Sequence, residues 1–186
     1  MYPRRDGEGD RDYHVRVLQT LTAQSSTQET FTNAAAQIAE VYGPSTIAER
    51  MRTVGDDHFA AGAYTAAAYA YTAGIEAHTD GLGDDAELMH TYVNRAAAYL
   101  KLGATHRAQQ DADAALALST ATYAPKTARK AHLRRAQALF ELGALDEARD
   151  GLHALPDDDE AAGRLRDKIR HTERGRSGPA SRGHVV

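Results

Sequence analysis

The sequence contains no cysteine and no tryptophan. Without cysteine the chain has no disulfide framework, no thiolate metal site and no cysteine nucleophile, so we expect a reducing, cytoplasmic setting. Strand-forming residues are also scarce, with 7 valines and 4 isoleucines against 37 alanines. Because alanine is the strongest helix former and β-branched residues are the usual strand material, this balance predicts an all-α protein.

Long apolar runs and a strong charge imbalance are absent as well. No segment approaches the roughly 18 apolar residues of a membrane span, and the first residues lack the apolar core of a signal peptide. The net charge is −4 and the isoelectric point is about 6.1. Since nucleic-acid binding needs a basic surface, we expect no nucleic-acid partner and no membrane partner.

Three glycines mark an internal repeat. Gly62, Gly103 and Gly143 are spaced by 41 and 40 residues. Small residues recur at fixed offsets from them, seven positions before each glycine (Gly55, Ala96, Ala136) and five positions after it (Ala67, Ala108, Ala148). This pattern predicts three units, each made of two antiparallel helices that turn at the glycine and cross closely at the small residues.

The segments GDDHFAAGAYTAA, AAAYLKLGATHRA and AQALFELGALDEA share a pattern that resembles the tetratricopeptide repeat. The usual period of that repeat is about 34 residues, so the extra residues are expected in the turn-rich segments HTDGLGDD and STATYAP. The resemblance implies a short right-handed solenoid of three stacked helical hairpins. We place these hairpins at about residues 46–80, 87–120 and 126–155.

The regions outside the repeats have a different composition. Residues 1–12 are charged or contain glycine and proline and are predicted to form a disordered arm, and residues 13–43 form a weakly helical extension. The repeat domain is expected over residues 44–172, with a capping helix at 157–172 that begins in a run of acidic residues. Residues 173–186 are predicted to be a disordered basic tail.

No constellation of residues predicts catalysis. The histidines are scattered without an HExxH pair, and there is no glycine-rich phosphate loop that ends in Lys-Ser or Lys-Thr. His58 takes a position that usually holds a large apolar residue, which favours a packed core histidine. We therefore expect no enzyme activity, no cofactor and no metal site.

In a stacked array of hairpins the first helices line a concave groove that binds extended peptides. The inward positions of these helices hold Arg52, Asp56, Asn94, Lys130 and Arg134. Lys130 and Arg134 lie one turn apart, a like-charge pair that weakens an isolated helix by roughly 0.2 to 0.5 kcal/mol. Either an anion sits between the two cations or both face solvent.

These positions resemble the dicarboxylate clamp of co-chaperone tetratricopeptide domains, which hold the EEVD tails of the seventy- and ninety-kilodalton heat-shock chaperones. The resemblance implies that Arg52 and Asn94 contact the terminal carboxylate of the ligand. Lys130 and Arg134 would then contact a ligand carboxylate or backbone oxygen. The preference for upstream ligand residues would be set by Phe59, Leu100 and Lys101. The partner implied is the C-terminal peptide of a heat-shock chaperone or of another protein.

Asp56 departs from the clamp, which has Asn at this position. An ionised carboxylate only accepts hydrogen bonds, so Asp56 cannot donate to a ligand carboxylate. Either Asp56 pairs with Arg52 one turn before it, or the groove binds a different ligand that carries a cation. A third interpretation is a structural platform whose groove is filled by residues 13–42.

Overall fold

The computed structural model describes residues 27–42, 45–78, 85–119 and 125–176, together with residues 5, 7, 16 and 20. These residues form helices and connecting turns without a strand, which confirms the all-α prediction. Most of the predicted arm at 1–12, the end of the tail and the inner parts of both turn-rich segments lie outside the described residues. The helices are α1 (Gln28–Tyr42), α2 (Ser45–Ala60), α3 (Tyr64–His78), α4 (Asp85–Lys101), α5 (Thr105–Leu118), α6 (Pro125–Glu141), α7 (Leu145–Gly151), a 3₁₀ helix (Leu152–Ala154) and α8 (Glu160–Arg176).

Helices α2 to α7 form three hairpins that turn at the anchor glycines. Gly62, Gly103 and Gly143 have φ angles of 77°, 69° and 80°, a left-handed conformation that side chains disfavour. In each turn the N–H of the residue after the glycine donates to the carbonyl five residues earlier, at 2.9, 2.9 and 3.0 Å. The repeated glycines therefore end each first helix in the same way, and the predicted stack of hairpins is confirmed.

Small residues lie where the helices cross. The predicted crossing residues are all buried: Gly55, Ala67, Ala96, Ala108, Ala136 and Ala148. At the closest crossing a Cβ on Gly55 would lie only 2.3 Å from the ring of Tyr71. The buried ring of Tyr71 on α3 therefore packs directly on the backbone of α2. This approach brings the Tyr71 hydroxyl to the groove side of α2.

Larger side chains fill the two ends of the solenoid. At one end Phe31 of α1 is fully buried with Ile47, Met51 and Val54. At the other end Leu165 and Ile169 of α8 join a cluster that includes leucines from α6, α7 and the 3₁₀ helix. Helix α8 begins at Glu160, and the Asp159 side chain accepts the Ala162 N–H at 2.9 Å. Both terminal helices thus cover apolar faces that the repeats would otherwise expose.

An ion pair between Arg95 on α4 and Asp111 on α5 holds the middle of the stack. Arg95 Nε and Nη2 donate to the two carboxylate oxygens of Asp111 at 2.8 and 2.7 Å. Arg95 Nη1 donates to Thr72 Oγ1 of α3 at 2.9 Å, and the guanidinium lies 5.6 Å from the ring of Tyr92. The pair links three helices of the first two hairpins and is nearly closed to solvent.

Candidate peptide-binding groove

The first helices α2, α4 and α6 supply the predicted groove residues. Arg52 and Asp56 lie one turn apart on α2, so their side chains share a face, and Asn94 on α4 reaches the same place. Lys130 and Arg134 lie on α6. The groove has two ends with different chemistry, one at α2 and one between α6 and α8.

At the α2 end Asp56 is the acceptor in a group of side chains that we call the Asp56 cluster. Arg52 Nη1 donates to Asp56 Oδ2 at 2.9 Å. Asp56 Oδ1 accepts from Asn94 Nδ2 and from Tyr71 Oη, each at 2.8 Å. Of the alternatives that the sequence left open, the structure has the ion pair between Arg52 and Asp56, and it adds Asn94 and Tyr71 to it.

Glu87 of α4 completes the Asp56 cluster by accepting a hydrogen bond from Arg52 Nε. Partial burial alone would lower the pKa of Arg52, but the hydrogen bond and the charges of Glu87 and Asp56 outweigh burial and raise it. Burial, with the hydrogen bond to Asp56, raises the pKa of Tyr71 well above its usual value. Both groups therefore stay protonated and remain donors to the carboxylates.

The α6 end of the groove contains a cavity of about 370 Å³. It lies between α4, α6 and α8, with Phe59 entering from α2. Four side chains on its wall are cationic and one is acidic, so positive charge on this wall lies beside apolar side chains. The lining residues are Phe59, Ala97, Leu100, Lys101, Gly103, Thr105, Arg134, Gln137, Phe140, Glu141, Ala161, Arg164, Leu165 and Lys168.

Arg134 is the half-buried cation of this cavity. Its Nη1 donates to Gln137 Oε1 at 2.9 Å, and its buried Nε has no hydrogen-bond partner among the described residues. Burial lowers the pKa of Arg134, in contrast to the raised pKa of Arg52 beside its two carboxylates. The guanidinium therefore lies on the cavity wall with its Nε closed to solvent, and no acid of the described chain offsets its desolvation.

Solved structures show which fold this is, although no family model and no curated protein matches the sequence. The Hsp90 co-chaperone Cns1 from Saccharomyces cerevisiae aligns with a TM-score of 0.63 at 24% identity, over 72% of this chain and 41% of the Cns1 chain. The TPR domain of OM64 from Arabidopsis aligns with a TM-score of 0.59 at 26% identity, over 70% of this chain and 99% of that domain. The chain is a tetratricopeptide repeat protein.

A further structural neighbour of this tetratricopeptide repeat protein is the first TPR domain of Spaghetti (RPAP3), which was solved with the HSP90 peptide SRMEEVD. The TM-score is 0.56 at 29% identity, over 70% of this chain and 98% of that domain. The repeat domain thus resembles those of co-chaperones. The chain spans less than half of the length of Cns1.

The structure divides the sequence-predicted residues of this tetratricopeptide repeat protein into two groups. Arg52 and Asn94 both donate hydrogen bonds to Asp56. Phe59, Leu100, Lys101 and Arg134 line the cavity at the α6 end of the groove, whereas Lys130 is exposed and does not line it. Lys130 and Arg134 therefore do not form a symmetric pair, because only Arg134 faces the cavity.

Several groove residues were missed by the sequence analysis. Glu87 lies seven residues before Asn94 and so shares its helix face, a signal that could have placed it in the groove. Tyr71 reaches Asp56 from the second helix of its hairpin, and Arg164 and Lys168 enter from the capping helix. These contacts depend on how the helices pack against one another, so the residue pattern of a single helix does not predict them.

Neither a membrane span nor a metal-ligand cluster is found among the described residues. We find no helix there with the length and hydrophobicity of a transmembrane segment. In the same part of the chain no cluster of three or more His, Asp or Glu side chains is placed to hold a metal ion. His58 packs its ring edge on Phe31, with 5.8 Å between the ring centroids, at the end of the solenoid away from the cavity.

Proposed function

We propose that this tetratricopeptide repeat protein is a co-chaperone-like adaptor without catalytic activity, which binds an extended acidic peptide of the EEVD type in its concave groove. The expected partner is the acidic C-terminal tail of a heat-shock chaperone. One structural neighbour was solved with such a peptide from HSP90, which supports the choice of ligand. The side chains that line the groove also favour an acidic ligand.

The main support for this proposal is the partly buried guanidinium of Arg134, which has no acidic partner among the described residues. A partly buried guanidinium is costly unless a carboxylate or another acceptor compensates it. Arg134 has an amide partner at Nη1 and an unsatisfied Nε, and no ion pair within the described chain. A ligand carboxylate in the cavity would offset this buried charge and accept a charge-assisted hydrogen bond from the guanidinium, which is the stronger class.

The surroundings of Arg134 define the rest of the ligand. Lys101, Arg164 and Lys168 place further positive charge on the cavity wall, and Lys130 stands exposed on the same helix as Arg134. Apolar contacts on that wall come from Phe59, Leu100 and Phe140. An acidic peptide with one apolar side chain beside its carboxylates matches this arrangement.

Arg134→Ala tests the proposal by calorimetric titration with an acidic peptide that ends in EEVD. A charge-assisted hydrogen bond contributes roughly 1.5 to 3 kcal/mol, so we expect the affinity to fall about ten- to hundredfold. Arg129→Ala is the matched control, since it removes the same charge from an exposed position of the same helix. Equal affinities for Arg134→Ala and Arg129→Ala would contradict a specific role for the cavity.

A second candidate function follows from the α2 end of the groove. Asp56 and Glu87 place two carboxylates beside the single guanidinium of Arg52, which favours a ligand with a Lys or Arg side chain next to its acidic residues. An otherwise identical peptide with a lysine in the EEVD sequence distinguishes the two candidates. Tighter binding of the lysine peptide would favour the second.

The interpretation of a filled groove gains no support from the described part of the extension. Helix α1 packs on α2 and α3 through Phe31 and Ala35. The cavity wall contains no residue of α1. Residues 13–26 lie largely outside the described residues.

A further inference from the structure

The donors at the α2 end of the groove are directed at a carboxylate of the chain itself. Arg52 and Asn94 are the positions that resemble the contacts to the terminal carboxylate of a ligand. In this protein both donate to Asp56, at 2.9 and 2.8 Å. The Asp56 side chain is 40% exposed, so it lies in the wall of the groove and not beneath it.

We infer that Asp56 is an internal carboxylate that occupies the terminal-carboxylate end of the groove, so that the protein recognises the side-chain carboxylates of an acidic peptide and does not require a free C-terminus. This inference rests on the proposed function and specifies its ligand class. Acidic segments inside a chain would then serve as ligands as well as acidic tails.

A buried hydrogen-bond donor fixes the position of the Asp56 side chain. Tyr71 is 1% exposed, and its hydroxyl donates to Asp56 Oδ1. The absence of a side chain on Gly55 allows the Tyr71 ring to pack against α2 at this point. Asp56 is therefore held by donors from α2, α3 and α4, and a ligand carboxylate would have to displace it from all three helices.

The negative charges of Asp56 and Glu87 also disfavour a terminal carboxylate at this end of the groove. Arg52 already serves Asp56 and Glu87, so an incoming terminal carboxylate would be the third acid beside one guanidinium. Carboxylates held around one guanidinium repel one another. This repulsion excludes a ligand that brings a further negative charge to the same place. The α6 end lacks this obstacle, because Arg134 has no acidic partner there among the described residues.

Asp56→Asn tests the inference because Asn has the same shape without the charge. Its amide oxygen can still accept from Tyr71, while its amide nitrogen no longer attracts Arg52. Asp57→Asn is the matched control, since it removes one negative charge from the neighbouring exposed position. Each full-length variant is titrated with the EEVD peptide, once with a free and once with an amidated C-terminus.

We expect the wild type to bind the two peptides with affinities within about threefold of each other, because the terminal charge finds no partner. Asp56→Asn should bind the free peptide at least about tenfold tighter than the wild type and lose that gain on amidation. Asp57→Asn should behave as the wild type. A wild type that loses about tenfold on amidation, or an Asp56→Asn variant indistinguishable from Asp57→Asn, overturns the inference.

These outcomes separate the inference from the proposed function. If the wild type binds neither peptide, the proposed function fails for this ligand. Asp56→Asn then decides the inference alone, by gaining or not gaining binding that depends on the terminal carboxylate. If the wild type binds both peptides and Asp56→Asn gains nothing, the function stands and the inference is wrong.

Asn94→Ala gives a second test that does not depend on the folding of Asp56→Asn. Because Asn94 Nδ2 is engaged by Asp56, its removal should change wild-type affinity for the free peptide by less than about twofold. A large loss in the wild-type background would show that Asn94 contacts the ligand, and would overturn the inference.

Discussion

Two Arg–Asp pairs lie close together in this solenoid and differ chiefly in their contact with solvent. In the pair between hairpin helices the side chains of Arg95 and Asp111 are 15% and 7% exposed. In the groove the side chains of Arg52 and Asp56 are 25% and 40% exposed. The same two residue types thus form a structural link in one place and part of a binding surface in the other.

The difference in exposure decides what each pair can do. Asp111 accepts hydrogen bonds at both of its oxygens from one guanidinium, so nothing outside the fold can replace either partner without breaking the stack. Asp56 receives single hydrogen bonds from three helices and remains open to water. An open pair can contact a ligand and tolerate an isosteric substitution, whereas a closed pair cannot.

The largest effect is expected from Asp111→Ala, which leaves Arg95 as an unpaired, nearly buried cation. Removal of one partner of a buried pair typically costs about 3 to 5 kcal/mol, and we expect a loss of this size in the free energy of unfolding. Urea denaturation followed by circular dichroism measures it.

The same helix provides a control for Asp111→Ala. Asp113 is 47% exposed and pairs with Arg135 of the next hairpin at 2.6 Å. Exposed pairs contribute about 0 to 1 kcal/mol, so Asp113→Ala should change stability little. Similar losses for the two variants would show that burial does not distinguish these pairs.

A smaller effect on stability is expected when Asp56 is changed. Asp56→Ala leaves the buried hydroxyl of Tyr71 without its acceptor, which should cost about 1 to 3 kcal/mol. Asp56→Asn retains an oxygen for Tyr71 and should cost less than about 1 kcal/mol. Equal losses for the two variants, measured by the same denaturation, would mean that Tyr71 does not anchor this side chain.

The sequence predicted those features that a single helix or turn determines. Gly62 and its counterparts mark the hairpin turns because a left-handed turn needs glycine, and the spacing of Arg52 and Asp56 places them on one helix face. The contact of Tyr71 with Asp56 was not predictable, since it depends on how α3 packs against α2 at Gly55. The cavity also depends on tertiary packing, because α8 supplies part of its wall.

The smallest expected effect is the pH dependence of stability that two histidines outside the Arg–Asp pairs contribute. Burial lowers the pKa of His58, against the opposing charge of Asp57. Burial also lowers the pKa of His132, and the positive charge of Arg135 adds to the shift. Both residues are half-buried, so the folded state favours their neutral forms.

Because each unfolded histidine binds its proton near pH 6.5, about its ordinary pKa, the unfolded state holds more protons just below this pH. The stability that the neutral histidines contribute is therefore complete above about pH 6.5 and is lost as the pH falls toward their lower folded pKa values. Urea denaturation at about pH 7.5 and about pH 5.5 measures the loss, and His132→Gln should reduce it. A loss unchanged in His132→Gln would show that His132 does not cause the pH dependence.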